Sequence, residues 1–245
     1  GNYRTLNVSS MGDFALNNLT ITGGQATGQD GGGLYALNAS VIGTDIVVTN
    51  NTATNNGGGI ASRGPDSDLT LVRSTVSGNN AGGDGGGIFA NYSVSLTDST
   101  ISGNTASDYG GGIRAVTGNV TAVNSTISGN TLTGAGIVNG GGISAAEGVI
   151  DLNHTTLADN DAGTGSVIDP AAAVMGASVF VMNNSIVAPI GGNSCARMLD
   201  AGTNNLFTDV DCDGISTPRD GSGGINLISL ADNGGPTQTH ALCIA

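Results

Sequence analysis

The chain has 245 residues, of which 43 are glycine, and its formal net charge of −13 comes almost entirely from aspartate. It contains no lysine and a single glutamate, so it lacks residues that favour helices, which argues against a helical or mixed α/β enzyme. Apolar residues still make up 38% of the chain, which argues against a disordered linker, and the negative charge argues against nucleic acid as a partner. No apolar run is long enough to span a membrane. The composition predicts an all-β protein with many turns.

A unit of about 27 residues recurs along most of the chain, and such a period is typical of repeat architectures. Its first landmark is an apolar anchor residue in motifs such as STISGN, which we expect to point into a core. The anchors are Ile21, Val48, Val76, Ile101, Ile127, Leu157 and Ile186. An asparagine follows three residues after five of the anchors, at Asn51, Asn79, Asn104, Asn130 and Asn160. The second landmark is a glycine triplet before an aliphatic residue, at Leu34, Ile60, Ile88, Ile113 and Ile143.

Each unit holds three short apolar pieces separated by turn-forming residues. Apolar and polar residues alternate in stretches such as DLTLV and SVSLT, which is the period of a β-strand. A short strand cannot bury its apolar face alone, whereas equivalent strands from successive units can stack over one shared core. The sequence therefore predicts a parallel β-helix of about seven coils with three short strands in each coil.

The recurring asparagines and glycines are predicted to shape the turns. Asparagine tolerates left-handed backbone, and a buried column of its amides can hydrogen-bond from coil to coil while the coils stay in register. Glycine triplets fit tight corners. Leucine-rich repeats need a denser leucine pattern, propeller blades are longer, and the glycine- and aspartate-containing motif of calcium-binding nonapeptide repeats is missing from the sequence.

Two sets of outward-facing residues bear on function. Arg73, Asp98 and His154 occupy one column three residues before the anchors, but Asn124 separates the last two. Polysaccharide lyases need a cation and a base, and hydrolases need two carboxylates, so we predict no catalytic residues. Thr and Ser residues flank the anchors in two further columns, which we interpret as ordinary exposed strand positions. Ice binding, glycan contact and packing against another rod are the alternatives for these hydroxyl columns.

We expect the repeats to occupy residues 1–187 and an irregular capping segment to occupy residues 188–245. Within that segment, DVDCDGISTPRD places four acids at ligand positions of a calcium loop: Asp209, Asp211, Asp213 and Asp220. The last position is Asp where Glu is usual, and no helices flank the loop. The competing interpretation is a solvated acidic loop, with calcium as the only candidate cofactor.

The landmarks carry a family resemblance over essentially the whole chain. The GGGI triplets and the short motifs that end in asparagine resemble the repeats of polymorphic outer membrane proteins and related bacterial surface proteins. The tail LADNGGPTQTHAL (230–242) resembles the closing motif of secreted bacterial choice-of-anchor proteins. The resemblance implies a right-handed parallel β-helix, export, and a cell-surface or extracellular location, with no established catalytic residues.

Three cysteines lie near the C-terminus, and the same resemblance includes a Cys…Asn-Leu…Asp…Cys pattern that fits Cys195 and Cys212. We expect these two to form a disulfide, which would stabilise the fold by about 3 kcal/mol in the chain-entropy model. Two reduced, buried thiols are the alternative. Cys243 is left over, and it can be free, pair with another chain, or replace one of the two partners.

The sequence as a whole predicts a secreted, non-catalytic structural or adhesive protein. The first residues read as a further strand, and strands at the open end of a β-helix can pair with another copy, so we expect end-to-end self-association into filaments. The chain begins directly in Asn- and Ser-rich sequence, so we expect any export signal to precede it. A polysaccharide-binding or polysaccharide-degrading β-helix is the alternative, and glycans at a cell surface are the corresponding partners.

Overall fold

The computed structural model describes residues 3–9, 12–134, 140–162, 179–188, 200–207, 230–232 and 237–239, together with the backbone of two strands at 171–176 and 193–195. All regular secondary structure in these ranges is β-strand. None of the described residues belongs to a helix that is long and apolar enough to cross a membrane.

The strands form three sheets of eight strands and a smaller sheet of five, and in each sheet a strand pairs in parallel with the equivalent strand of the next coil. The first sheet contains β1 (Leu6–Ser9), β5 (Leu34–Leu37), β9 (Ile60–Arg63), β13 (Ile88–Ala90), β17 (Ile113–Ala115), β21 (Ile143–Ala145), β24 (Ala171–Gly176) and β27 (Asn193–Cys195). The second contains β2 (Asp13–Asn17), β6 (Ser40–Thr44), β10 (Leu69–Val72), β14 (Val94–Thr97), β18 (Val120–Val123), β22 (Val149–Asn153), β25 (Val179–Asn183) and β28 (Ala201–Thr203).

The third sheet carries the anchors and contains β3 (Thr20–Thr22), β7 (Val47–Thr49), β11 (Thr75–Ser77), β15 (Thr100–Ser102), β19 (Thr126–Ser128), β23 (Thr156–Ala158), β26 (Ile186–Ala188) and β29 (Leu206–Phe207). The fourth contains the two-residue strands β4 (Gln25–Ala26), β8 (Thr52–Ala53), β12 (Asn80–Ala81), β16 (Thr105–Ala106) and β20 (Thr131–Leu132). The predicted parallel β-solenoid is therefore confirmed, and eight strands in a sheet agree with about seven coils. The fourth strand of a coil was not predicted.

The interior is built from the aliphatic columns that the repeat predicts. The inward residues of the three longer strands pack into one apolar core, and the anchors Val48, Val76, Ile101, Ile127 and Leu157 are completely buried. At the seventh coil the prediction was off by one residue. Leu157 pairs with Val187, which is buried, whereas Ile186 pairs with the outward Thr156 and is only partly buried. Both residues are aliphatic, so only the strand register decides which one faces inward.

Parallel pairing continues beyond residue 187, where the sequence predicted the end of the repeats. β27 pairs with β24, β28 with β25 and β29 with β26, so all three long sheets extend into the expected C-terminal segment. The solenoid thus reaches at least Phe207 within the described part of the chain.

Candidate functional site

A ladder of buried asparagines joins successive coils. Asn79 is 1% exposed, and its Nδ2 donates to the carbonyl of Val48 at 3.0 Å and to Oδ1 of Asn104 at 2.9 Å. Its own Oδ1 accepts from the backbone nitrogen and from Nδ2 of Asn51, each at 3.0 Å. The same pattern continues through the other predicted positions, Asn104, Asn130 and Asn160. The five asparagines therefore have a structural role, since their buried amides hydrogen-bond to neighbouring coils.

The glycine triplets and the asparagine ladder form one packed unit. A Cβ atom on Gly59 would lie 2.9 Å from Nδ2 of Asn79, and one on Gly87 would lie 2.9 Å from Nδ2 of Asn104. The last glycine of a triplet therefore leaves room for the amide of the ladder. The ladder amide thus needs a glycine at this position of the triplet, which explains why the two landmarks recur together.

A second ladder, which the sequence analysis missed, runs along the turn between the second and third sheets. Hydroxyl oxygens accept from the backbone nitrogen one coil earlier: Ser99 Oγ from Ser74 at 3.1 Å and Ser125 Oγ from Ser99 at 3.2 Å. The column continues with Ser185 Oγ, which accepts from the backbone nitrogen of Thr155 at 2.9 Å. The repeated Ser in the STISGN context could have indicated it, because a small hydroxyl is the shared residue at that position.

The column of Arg73, Asp98 and His154 forms a backbone corner. Each of the three has φ near +50°, between 47° and 51°, and the preceding strand of the second sheet turns there into the third sheet. Arg73 makes a two-pronged ion pair with Asp45, from Nε to Oδ1 at 2.9 Å and from Nη2 to Oδ2 at 2.7 Å. The arrangement is thus an exposed ion pair on a turn, in which Arg73 is already bound.

The strongest candidate for a binding surface lies on the outer side of the first sheet. Three arginines lie over aromatic rings there, with guanidinium carbon to ring centroid distances of 4.4 Å for Arg4 over Tyr35, 4.1 Å for Arg63 over Phe89 and 4.9 Å for Arg114 over Tyr109. We call these six residues the arginine–aromatic face. Tyr35, Phe89 and Arg114 belong to one outward column, in register from β5 to β17.

The sequence contains a signal for this face at one position of the repeat. Tyr35, Phe89 and Arg114 each come directly after the aliphatic residue that follows a glycine triplet. In a chain with 3% aromatic residues, large side chains at one repeated position indicate one surface. The partners of these three side chains come from other strands and loops, so the repeat alone does not predict which arginine lies over which ring.

Two aspartate side chains hold two of the three arginines of this face. Arg63 Nη2 lies 2.8 Å from Asp30 Oδ2, and Arg114 Nε lies 3.8 Å from Asp84 Oδ2. The same carboxylates accept from the backbone of the next coil, Asp30 from Asn56 at 2.9 Å and Asp84 from Tyr109 at 3.2 Å. The guanidinium groups are thus oriented by fixed partners. The Nε atoms of Arg63 and Arg114 are buried and have no hydrogen-bond partner among the described residues.

Burial perturbs the ionisation of one of these pairs. Desolvation raises the pKa of Asp84 above its ordinary value of 3.8, and this outweighs the opposing attraction of Arg114. Desolvation also lowers the pKa of Arg114. At the exposed corner that holds Arg73, the pKa shift has the opposite direction: hydrogen bonds from Arg73 lower the pKa of Asp45. Asp84 is therefore the described carboxyl with the clearest resemblance to an acid of a functional site.

These opposite shifts predict opposite pH dependences for two Asp→Asn variants. The contribution of Asp84 to stability is present below its ordinary pKa and lost as pH rises through the raised folded value. We therefore expect Asp84→Asn to gain stability relative to the wild type between about pH 3 and pH 7. Asp45 stabilises the fold above its ordinary pKa, and this contribution is lost as pH falls through its lowered folded pKa. As pH rises over the same range, Asp45→Asn should therefore lose stability relative to the wild type. Thermal melts across that range measure both, and parallel curves for the two variants would contradict the assignment.

Most of the predicted C-terminal site residues lie outside the described residues. These are Asp209, Asp211, Asp213 and Asp220 of the calcium loop, and Cys212 and Cys243. Cys195 is the last residue of β27. Because Cys212 lies outside the described residues, the disulfide between them stays a prediction, and mass spectrometry of the unreduced protein tests it. Among the residues that are described, no group of three or more His, Cys, Asp or Glu side chains is arranged to hold a metal ion. Calcium also stays a prediction, tested by the change in melting temperature on adding chelator.

Comparisons with other proteins do not narrow the function further. No protein-family model, no curated protein and no solved structure matches this chain. The comparisons therefore name no family for the chain, and what the structure itself shows is a parallel β-solenoid with an arginine–aromatic face.

Proposed function

We propose that this protein is a non-catalytic structural and adhesive solenoid of the cell surface or extracellular space, and that it binds glycans through the arginine–aromatic face. The observation that carries the proposal is the set of three arginine–aromatic contacts on the outer side of one sheet. Sugar rings present apolar C–H faces that pack on aromatic rings, and their hydroxyl and carboxylate oxygens accept hydrogen bonds from guanidinium groups.

The shape of the face suits an extended chain. Its outward column advances by one strand spacing, about 4.8 Å, for each coil. Tyr35 and Tyr109 remain partly exposed, whereas Phe89 is 3% exposed beneath Arg63. Beside the two tyrosines, Arg4 donates to the backbone carbonyl of Asp30 at 2.8 Å, and Arg114 pairs with the carboxylate of Asp84. A polymer that runs along the solenoid axis would meet rings and donors in several coils at once, so weak contacts would add up.

Export and surface location are supported by the resemblance of the repeats and of the tail motif to polymorphic outer membrane proteins and choice-of-anchor proteins. An asparagine-laddered solenoid also suits an extended scaffold, because each coil contacts only its neighbours and the length can grow without a larger core. We infer the relationship to these proteins from the repeat and tail motifs.

Polysaccharide cleavage is the second candidate, and the raised pKa of Asp84 favours it. Asp108 lies close enough to contribute to that shift by charge repulsion, so two carboxylates share the region. A hydrolase needs one carboxylic acid and one free carboxylate across the scissile bond. Asp84 is instead bound to Arg114 and to the backbone of Tyr109, which supports binding over cleavage.

Affinity electrophoresis in gels that contain neutral or acidic polysaccharides tests the proposal. We expect the wild type to be retarded, and Tyr35→Ala and Tyr109→Ala each to weaken binding about fivefold through loss of a stacking ring. Tyr92→Ala is the matched control, since Tyr92 lies in the turn between β13 and β14. Equal retardation of all four proteins, or none with any polysaccharide, would remove the face from the proposal. New reducing ends or unsaturated products that disappear in Asp84→Asn would show an enzyme instead.

End-to-end self-association stays a prediction. β1, β2 and β3 stand at one edge of their sheets, and Leu6, Phe14 and Leu19 in this coil are only partly buried, unlike the inner coils. Unpaired strand edges accept further strands. Electron microscopy over a range of concentrations tests the prediction, and uniform single particles under every condition would overturn it.

A further inference from the structure

Two described parts of the tail motif lie against the solenoid. Its described parts are residues 230–232 and 237–239, which we call the closing segment. Ala231 and Thr239 form an antiparallel bridge with two backbone hydrogen bonds, at 3.0 Å and 2.9 Å. The two described parts of the closing segment are therefore joined to each other by this bridge.

Two hydrogen bonds join this unit to the third sheet near β15. The hydroxyl of Thr100 donates to the carbonyl of Gln238 at 2.8 Å, and the hydroxyl of Thr237 donates to the carbonyl of Asp98 at 3.3 Å. Both donors are threonine hydroxyls and both acceptors are backbone carbonyls. One bond thus comes from the outward hydroxyl column of the third sheet, and the other reaches the corner just before β15.

The accessibility of that column changes where the closing segment meets it. Thr20 and Thr22 in β3 are exposed, and the pair in β11 is partly buried. In β15 and the adjacent β19 the outward hydroxyl residues are buried, with exposures of 0% for Thr100, 7% for Ser102, 3% for Thr126 and 3% for Ser128. Outward residues on a bare sheet face would be open to solvent. The middle of the hydroxyl face is therefore covered.

We propose that the outer face of the third sheet at β15 and β19 is a docking site whose occupant is the closing segment of the same chain. The threonine hydroxyls of the face and of the segment provide the contacts. The docked segment covers the centre of the hydroxyl columns and so keeps a flat partner, such as the side of another solenoid, from lying along them. The same face at β3 and β7 stays open.

Hydrogen exchange of the full chain, followed by mass spectrometry, tests the docking. Thr100→Val and Thr237→Val remove one donor each while keeping the shape of the side chain. We expect peptides from the closing segment to exchange about fivefold to tenfold faster in both variants than in the wild type. Thr75→Val is the control, because Thr75 lies in the same column in β11. Unchanged exchange in β15 and β19 shows that the solenoid itself remains folded.

Three results would overturn the proposal. A closing segment that is unprotected in the wild type would show that it does not dock. Equal protection in the wild type and all three variants would show that the threonine face does not hold it. Light scattering that gives a dimer, with protection lost on dilution, would assign the occupant to a second copy.

Discussion

Replacing Asn79 by Ala is expected to destabilise the solenoid by about 2–6 kcal/mol. The substitution leaves the buried backbone N–H of Asn51 without its acceptor, and it removes the hydrogen bonds that the Asn79 amide donates to the carbonyl of Val48 and to Oδ1 of Asn104. The unpaired N–H costs about 1–3 kcal/mol, and each lost hydrogen bond costs about 0.5–1.5 kcal/mol. Chemical denaturation followed by circular dichroism measures the loss.

The neighbouring residue supplies the control for this experiment. Asn80 has the same chemistry, but its side chain is exposed in β12. Asn80→Ala should therefore change the stability by less than about 0.5 kcal/mol. Similar losses for the two variants would show that the ladder contributes nothing beyond ordinary asparagine side chains.

Replacing Gly86 by Ala is expected to have the largest effect, a loss of more than about 4 kcal/mol or failure to fold. A Cβ atom on Gly86 would come closer than 3.0 Å to the backbone of both Gly111 and Thr105 in the next coil. Backbone atoms on two strands cannot move aside without breaking the parallel register, so the clash has no inexpensive relief. Soluble yield and melting temperature measure the outcome.

Gly103→Asn separates this packing effect from the general cost of replacing a glycine. Gly103 has a left-handed backbone, with φ of 61°, and nothing lies within 4 Å of its added Cβ. The equivalent position one residue before Asn51 is Asn50, with φ of 55°. Asparagine is thus compatible with this turn, and the variant should be close to wild type in stability. A folded Gly86→Ala variant as stable as Gly103→Asn would contradict the packing argument.

The repeat by itself determined the solenoid, the inward anchors and the asparagine ladder. These features depend on one residue type recurring at one position in each coil, and a parallel stack brings equivalent positions together. The fourth strand was missed although Ala26, Ala53 and Ala81 recur regularly, because two residues are too few to show an alternating period.

Only the tertiary structure decided which of Ile186 and Val187 faces inward, which arginine lies over which ring, and where the closing segment docks. The first depends on the strand register between two equally apolar residues. The other two depend on contacts between side chains that occupy different positions of the repeat, or that lie far apart along the chain. A periodic sequence specifies how a coil meets its equivalent neighbour, but contacts between non-equivalent positions are set by packing in three dimensions.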